Sequence, residues 1–300
     1  MNIKSALGNR RLCLSLTGLN PDEFRDLVPL FAIIYLEFKI KMNPHRTMKY
    51  GCGPIGKLRT IEEKLFYILF YLKTYPTFDV ASFLVGFNRS NAYREVQFLL
   101  PVLETTLKRK LVLPQRKINS IDEFIKKFPG VKDIFIDGTE RRVNKPKNLK
   151  KRNKLYSGKK KSTTRKTVVV NDEKMKILIM TPTKSGRRHD KRLTDKNQLI
   201  SSVPPDIPIW TDTGFQGIQK QHQNTIMPKK ATKNHPLTDE EKAENKLISA
   251  IRVVSEHAIA GIKRYGVAAN IYRNHLPNLD DQFTLLSAGL WNYHLDYQVS

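Results

Sequence analysis

Cysteine is almost absent from this chain: its 300 residues include only Cys13 and Cys52. The two lie far apart, and neither belongs to a C-x-x-C motif. The sequence therefore predicts neither a cysteine zinc site nor a disulfide framework, and it fits a reducing cytoplasm.

Long apolar runs are missing as well. The longest stretch without a charge, Leu27 to Leu36, is too short to cross a bilayer. The N-terminal residues contain no apolar core of the kind found in signal peptides. We therefore expect a soluble cytoplasmic protein, associated with the nucleoid and without a membrane partner.

Acidic residues are scarce. The chain has 28 acidic residues against 53 basic ones, which gives a net charge of +25. Such an excess predicts a polyanionic partner such as nucleic acid. The apolar fraction of 40% indicates a globular protein, and the length suits two domains. A basic ribosomal-type protein is the plain alternative, and the uneven placement of the acids disfavours it.

Two of these acids follow apolar runs, in Ile134-Phe-Ile-Asp-Gly-Thr-Glu140 and Ile209-Trp-Thr-Asp-Thr-Gly-Phe215. Sites of α/β folds commonly form where buried strands end, and we expect Asp137 and Asp212 at such ends. Each has a glycine close by, which we interpret as room for a substrate backbone. Either aspartate alone could be a solvated strand-end residue; their shared setting favours a functional role.

A third acid, Glu256, lies in a predicted helix in the motif Arg252-Val-Val-Ser-Glu-His257. At helical spacing Glu256 falls beside Arg252 and Lys263 and off the apolar stripe. A solvated Arg–Glu pair is the ordinary alternative. The functional interpretation is a metal ligand whose basic neighbours hold DNA phosphates. The predicted apolar stripe consists of Leu247, Ile248, Ile251, Val254, Ala258 and Ile262.

Three carboxylates suit phosphodiester chemistry. Hydrolysis and strand transfer place negative charge on both the attacking and the leaving oxygen, and two Mg²⁺ ions about 3.5–4 Å apart stabilise both. Mg²⁺ prefers carboxylate and water ligands. The acids therefore indicate a nuclease that uses two divalent ions, Mg²⁺ or Mn²⁺.

The sequence pattern of the N-terminal part predicts helices. A helix is predicted over 21–42, and Gly51 to Pro54 then break the chain. Three helices follow, from Thr60 to before Pro76, over 78–84, and from about 88 to 107 with a kink at Pro101. A helix, a short helix, a glycine turn and another helix predict a helix-turn-helix over about 59–107. An ordinary three-helix packing unit is the alternative. The predicted recognition helix opens with the DNA-binding candidates Arg89, Ser90, Asn91 and Arg94.

Strand patterns begin at Val131. Short β-branched and aromatic runs predict strands over 131–139, 166–171, 176–181 and 207–211, and helices are predicted near 190–201 and 239–265. The fold class is therefore α/β (α+β), with an all-α DNA-binding domain over 1–112 and a catalytic domain over 113–300.

A basic segment, 141–166, contains no acid. A flexible charged loop is one interpretation; a stretch that tracks phosphates near the site is the other, and it predicts salt-dependent binding. Lys159, Lys160 and Lys161 are its DNA-binding candidates. Asp190, which follows the segment, is interpreted as an acid at a helix start in preference to a further metal ligand.

Taken together, these motifs resemble bacterial insertion-sequence transposases of the DDE class, in the insertion-sequence-five family, and their Harbinger-type relatives. The resemblance covers about 50–295 and depends on order and spacing: Asp212 is 75 positions after Asp137, and Glu256 is 44 positions after Asp212. The matching stretches are Ile136-Asp-Gly-Thr-Glu140, Tyr156-Ser-Gly-Lys-Lys-Lys161, His189-Asp190, Thr211-Asp-Thr-Gly-Phe-Gln-Gly217 and Arg252-x3-Glu256-x6-Lys263.

The resemblance implies an RNase H-like catalytic core in which Asp137, Asp212 and Glu256 are the catalytic metal ligands. It implies that Arg252 and Lys263 are the basic partners of the helical glutamate and contact DNA. The chain departs from the pattern at Ser249, where the family has tyrosine, and at Ser162-Thr-Thr164, where a His-Thr pair is expected.

The implied activity is that of a transposase. It would cut the terminal inverted repeats of its own element and join the 3′-OH ends to target DNA, acting as a homodimer on double-stranded DNA. A domesticated nuclease of the same core that no longer transposes is one alternative. A DNA-binding regulator whose acids are structural is another.

Overall fold

The structure is a computed structural model that describes residues 2–45, 47, 56–232 and 236–299. It contains two compact units. The first comprises residues 1–113, 264–269 and 286–300, and the second comprises residues 114–263 and 270–285. None of the described helices combines the length and the apolar character that a membrane crossing requires.

Helices occur in both units. Within the described residues they are α1 (Ile3–Leu7), α2 (Arg10–Thr17), α3 (Pro21–Met42), α4 (Ile61–Thr74), α5 (Phe78–Val85), α6 (Arg89–Arg109), α7 (Ile121–Lys127), α8 (Leu149–Leu155), α9 (Asp190–Lys196), α10 (Asp239–Lys263), α11 (Gly266–Ala269) and α12 (Leu279–Val299).

The helical unit follows local sequence signals. Thr60 and Glu63 form a capping box at the start of α4, in which each side chain bonds the other residue's backbone N–H. Gly86 ends α5 in the left-handed region at φ +75°, a conformation that glycine adopts without strain. The predicted helices from 21 onward are thus confirmed, and α6 continues through Pro101. The predicted break at 51–54 lies outside the described residues.

The second unit is built on a mixed sheet in the order β2-β3-β1-β6-β7, with β4 and β5 also paired to β3. Strand β1 is antiparallel to β3 and parallel to β6. This mixed α/β architecture beside a helical region confirms the predicted fold class. The strands are β1 (Ile134–Arg142), β2 (Tyr156–Ser157), β3 (Ser162–Asp172), β4 (Ile177–Met180), β5 (Lys184–Ser185), β6 (Ile209–Thr211) and β7 (Thr225–Ile226).

One face of this sheet carries the apolar core of the unit. Ile136 on β1 lies opposite Val170 on β3. Phe124 from α7 and Phe215, which follows β6, are completely buried against the same cluster. The core therefore holds the residues on either side of Asp212 in place.

One expectation about local structure was wrong, and so was the flexible-loop alternative for the basic segment. Strand β1 does not end at Asp137 but continues to Arg142, because its second half pairs with β3 as far as Thr164. The basic segment 141–166 is not one loop: it contains α8, β2 and the start of β3.

The predicted apolar stripe of α10 was also partly wrong. Leu247 and Ile251 are exposed, whereas Ser255 and Ala258 are buried. The helix packs against β1, β3 and β6. Its buried residues are Ile248, Ser255, Ala258, Ile259, Gly261 and Ile262. The buried face is therefore rotated from the one that the longest apolar side chains predict.

Candidate active site

Parallel pairing brings Asp137 and Asp212 together. Ile136 of β1 lies beside Thr211 of β6. Asp137 directly follows Ile136, and Asp212 directly follows Thr211. Neighbouring strands are about 4.8 Å apart, so Asp137, which lies within β1, and Asp212, which directly follows β6, are side by side. This part of the predicted arrangement is present in the structure.

The carboxyl group of Asp137 is largely desolvated. Burial is the main cause that raises its pKa, and the negative charge of Asp212 raises it further. A hydrogen bond from the Gly138 N–H, at 2.7 Å, lowers the pKa, as do the charges of Arg252 and Lys159. The charged form is thus disfavoured, and a bound cation would stabilise it.

Asp212 is held by the turn that follows β6. Its side chain caps the 3-10 turn Thr213–Phe215, with Oδ1 accepting a 2.8 Å hydrogen bond from the Gly214 N–H. Its other oxygen, Oδ2, lies 3.8 Å from the ammonium of Lys159. Because Phe215 is buried in the core, the position of this turn depends on packing.

Helix α10 places two cations beside Asp137. Arg252 lowers the pKa of Asp137, and its buried Nε has no hydrogen-bond partner among the described residues. Desolvation of the ammonium is the main cause that lowers the pKa of Lys263, although the residue as a whole is exposed. The charge of Lys160 lowers it further, while Asp137 and Glu140 raise it.

Glu256 lies between these two cations along the helix and is exposed. Glu256 is four residues after Arg252 and seven residues before Lys263, so the three residues share one face of the helix. Within the described residues, however, no group of three or more His, Cys, Asp or Glu side chains is close enough to hold a metal ion. The structure thus brings the two aspartates together and places Glu256 on the neighbouring helix without joining it to them.

The donor atoms of the two aspartates fit a hard divalent ion. Mg²⁺ usually keeps several waters and is bound by one or two carboxylates together with substrate phosphates. The pair Asp137 and Asp212 supplies that number of carboxylates, and the disfavoured charge on Asp137 would be neutralised by a cation. The remaining ligands would be water and phosphate oxygens.

A cleft of about 810 Å³ adjoins Asp212 of this pair and is lined by Asp190, Asp212 and a set of cations. A concave basic surface beside carboxylates can hold a phosphodiester backbone while the carboxylates hold metal. The cations in its lining are Lys159, Lys166, Arg187, Arg188 and Lys230.

Lys159, Lys160 and Lys161 form the exposed turn between β2 and β3, which we call the basic turn. Lys159 lies beside Asp212, and the charge of Lys160 acts on Lys263. The three lysines predicted to bind DNA are therefore at the edge of the candidate site.

The other DNA-binding candidates lie in the first two turns of α6. Arg89, Ser90, Asn91 and Arg94 are all exposed. Arg89 is 3.6 Å from Asp79, and Arg94 donates a 3.3 Å hydrogen bond to Asn91. Such weak surface contacts leave these side chains available to a ligand.

Asp190 was predicted to be a helix-start acid, and it is the first residue of α9. The sequence did not indicate that its carboxylate is also largely buried and paired with Lys166 at 3.0 Å. The sequence feature that could have indicated this position of Asp190 is the glycine in each acidic motif, Gly138 and Gly214. A Cβ on Gly138 would lie 2.7 Å from Asp190 Oδ1, and one on Gly214 would lie 3.4 Å from Asp190 Oδ2. The room at these glycines is taken by Asp190, not left for a substrate backbone.

Comparisons with known proteins agree with this geometry. Residues 136–292 match the family described as DDE superfamily endonuclease, and residues 56–109 match the helix-turn-helix of DDE superfamily endonuclease. The chain is 29% identical over 261 residues to the probable transposase for insertion sequence element IS702 of Microchaete diplosiphon, covering 87% of this chain and 89% of that protein. No solved structure matches the chain.

Proposed function

Because the chain belongs to the DDE superfamily of endonucleases, we propose that it is a transposase that cuts the terminal inverted repeats of its own element and joins their 3′-OH ends to target DNA. The observation that carries the proposal is the pairing of Asp137 with Asp212 beside a basic cleft. The similar probable transposase of an insertion sequence supports it. The Arg252-x3-Glu256-x6-Lys263 spacing supports membership of the insertion-sequence-five family, with Ser249 as a departure.

In this proposal Asp137, Asp212 and Glu256 hold two divalent ions, Mg²⁺ or Mn²⁺; the DDE superfamily generally uses divalent metal ions. When bound, the ions activate the nucleophile and stabilise the leaving oxygen. The chain's own residues hold the DNA. Arg252 and Lys263 neutralise the phosphate nearest Asp137, and the basic turn holds the strand beside Asp212. The nucleophile is water in the cutting step and the freed 3′-OH in the joining step.

Residues 1–112 recognise the element ends in this proposal, and residues 113–300 cut them. The proposed contacts to base edges and phosphates are made by the opening residues of the recognition helix. Support comes from the helix-turn-helix match over 56–109 and from the exposure of the four candidates, which are Arg89, Ser90, Asn91 and Arg94. Transposition joins two ends, so we propose that a homodimer holds one terminal repeat in each copy.

The proposal is tested by incubating the full chain with a supercoiled plasmid that carries both ends of its element. We expect Mg²⁺- or Mn²⁺-dependent cuts at the repeat boundaries that leave 3′-OH ends, and joined products when target DNA is added. Cuts without joining would indicate a domesticated nuclease. If no metal-dependent cut appears, the proposal is wrong.

A DNA-binding regulator is the second candidate, and the exposed position of Glu256 apart from the aspartates is the observation that favours it. The two candidates differ in one measurement. A regulator would bind the element ends equally well with and without divalent ions and would leave them intact.

Alanine at all three lysines of the basic turn is expected to lower the salt dependence of DNA binding. Each phosphate contact contributes about 0.9 to the slope of log K against log salt, so the slope should fall by about 2.7. Fluorescence anisotropy from 50 to 300 mM salt measures it. Alanine at Lys126, Lys132 and Lys174 is the control, because these lysines are exposed and lie outside the site. An equal fall in both variants would contradict the assignment.

Arg94→Ala is expected to weaken recognition of the element ends. A bidentate arginine–base contact contributes about 1–3 kcal/mol of discrimination, and most of that should be lost against specific DNA only. Arg109→Ala is the matched control, because Arg109 lies at the other end of α6 and pairs with Glu37 at 2.6 Å. Competition binding with specific and random DNA separates them; equal behaviour of the two variants would refute a reading role for Arg94.

A further inference from the structure

A buried ion network lies on the sheet face opposite the Asp137 side chain. Lys166 of β3 lies opposite Glu140 of β1, and its ammonium is 3.2 Å from Glu140 Oε1 and 3.0 Å from Asp190 Oδ1. It also donates a 3.1 Å hydrogen bond to the Arg188 carbonyl. Only 7% of the Lys166 side chain and 4% of the Glu140 side chain are exposed. Neither group is therefore a solvated surface charge.

Glu140 has a second partner besides Lys166. The Thr164 hydroxyl donates a 2.5 Å hydrogen bond to Glu140 Oε2. Burial alone would lower the pKa of Lys166, yet Asp190 and Glu140 outweigh it and raise the pKa. Lys166 thus stays charged and orients both carboxylates. Buried ion pairs are weak evidence for stability, because apolar side chains of similar volume often serve as well.

Asp190 connects this network to both catalytic motifs. Its Oδ1 lies against Gly138, the residue after Asp137. Its Oδ2 lies 3.4 Å from the point that a Cβ on Gly214 would occupy, and Asp212 Oδ1 lies 2.8 Å from that same point. One carboxylate, paired with one lysine, therefore occupies the space beside Gly138, which follows Asp137, and beside Gly214, which lies two residues after Asp212.

We propose that Asp190 is a positioning residue of the metal site: held by Lys166, its carboxylate keeps the Asp137-Gly138 segment and the turn from Asp212 to Gly214 at the separation at which the two aspartates bind metal. This inference rests on the proposed metal-binding role of Asp137 and Asp212. It deepens that role by naming the residues that set the spacing of the pair. Asp190 itself need not touch the metal or the DNA.

The test is Mn²⁺ affinity, measured by isothermal titration calorimetry on the full chain without DNA. Loss of a residue that orients metal ligands typically lowers metal affinity about 10–100-fold, and we expect this for Asp190→Asn and for Lys166→Gln. The double variant should lose no more than the larger single loss, because both act through one contact. Excess Mn²⁺ should restore DNA cleavage to Asp190→Asn and not to Asp137→Asn.

Asp195→Asn is the matched control. Asp195 lies on the same helix, pairs with Lys191 at 2.6 Å, and contacts neither glycine. Its Mn²⁺ affinity should equal that of the unmodified chain. Circular dichroism and thermal melting establish that each variant is folded. If Asp190→Asn does not fold, Gly138→Ala displaces the same carboxylate without removing a charge, and the same loss of affinity is expected.

Wild-type Mn²⁺ affinity in folded Asp190→Asn or Gly138→Ala would overturn the positioning role. The result is separable from the proposed function. A chain that binds Mn²⁺ but never cuts element ends fails as a transposase, while the affinity series still decides the role of Asp190. A wild-type chain that binds no Mn²⁺ overturns both.

Discussion

Asp137→Asn is expected to reduce DNA cleavage at least about a thousandfold while leaving DNA binding intact. Metal ions contribute several kcal/mol of transition-state stabilisation in phosphoryl chemistry, and each 1.36 kcal/mol is a tenfold change in rate. Asparagine keeps the shape of the side chain and removes the charge that would hold the cation. Asp212→Asn should have a similar effect, because the two aspartates follow paired residues of adjacent parallel strands.

The Asp137→Asn substitution should not lower the stability of the metal-free protein. The pKa of Asp137 is raised in the fold, mainly by burial and then by Asp212. A carboxylate whose folded-state pKa is raised costs stability at pH values above that pKa, and the cost vanishes below its unfolded-state pKa. At neutral pH, Asp137→Asn should therefore melt at or above the temperature of the unmodified chain.

The loss of cleavage by Asp137→Asn is measured by single-turnover cleavage assays. DNA-binding assays on the same preparations measure whether binding is retained. Asp206→Asn is the matched control, since Asp206 precedes β6 and is exposed. It should cut at the wild-type rate. Cleavage by Asp137→Asn within tenfold of wild type would exclude Asp137 from the metal site.

Phe215→Ala is expected to have the largest effect on stability, with a loss of about 3–5 kcal/mol in the free energy of unfolding. Phe215 is completely buried and ends the turn that Asp212 caps. The cavity would therefore loosen the turn that positions Asp212. Denaturant unfolding measures the stability, and calorimetry at a temperature where the variant is folded measures Mn²⁺ affinity.

Phe124→Ala separates these two consequences. Phe124 is also completely buried in the same apolar cluster, but it comes from α7 and does not adjoin either aspartate. We expect a similar loss of stability with unchanged Mn²⁺ affinity. If both variants lose affinity equally, the site depends on global stability and not on the Asp212 turn.

Local signals in the sequence predicted much of the fold. The capping box of Thr60 and Glu63 and the glycine at 86 determine helix ends through contacts a few residues apart. The apolar runs before Asp137 and Asp212 predicted two strands, and those strands are neighbours. Such features require no knowledge of distant pairing.

The features that could not be predicted depend on long-range register. Strand β1 continues past Asp137 only because β3 pairs with it, and that pairing places Lys166 opposite Glu140. The position of Asp190 against Gly138 depends in turn on where α9 packs. The buried face of α10 includes Ser255 and Gly261, which apolar periodicity alone did not indicate.

Mapping the metal site by iron-dependent cleavage of the polypeptide tests the central claim most directly, because it requires no knowledge of the DNA ends. Fe²⁺ bound in place of Mg²⁺ reduces added hydrogen peroxide to hydroxide and a hydroxyl radical and becomes Fe³⁺, which added ascorbate returns to Fe²⁺; the radicals cut the backbone near the ligands of the iron. We predict fragments that end close to residues 137 and 212, suppressed by excess Mg²⁺ or Mn²⁺ and absent from Asp137→Asn. Fragments that Mg²⁺ does not suppress, or cuts confined to other segments, would contradict the account.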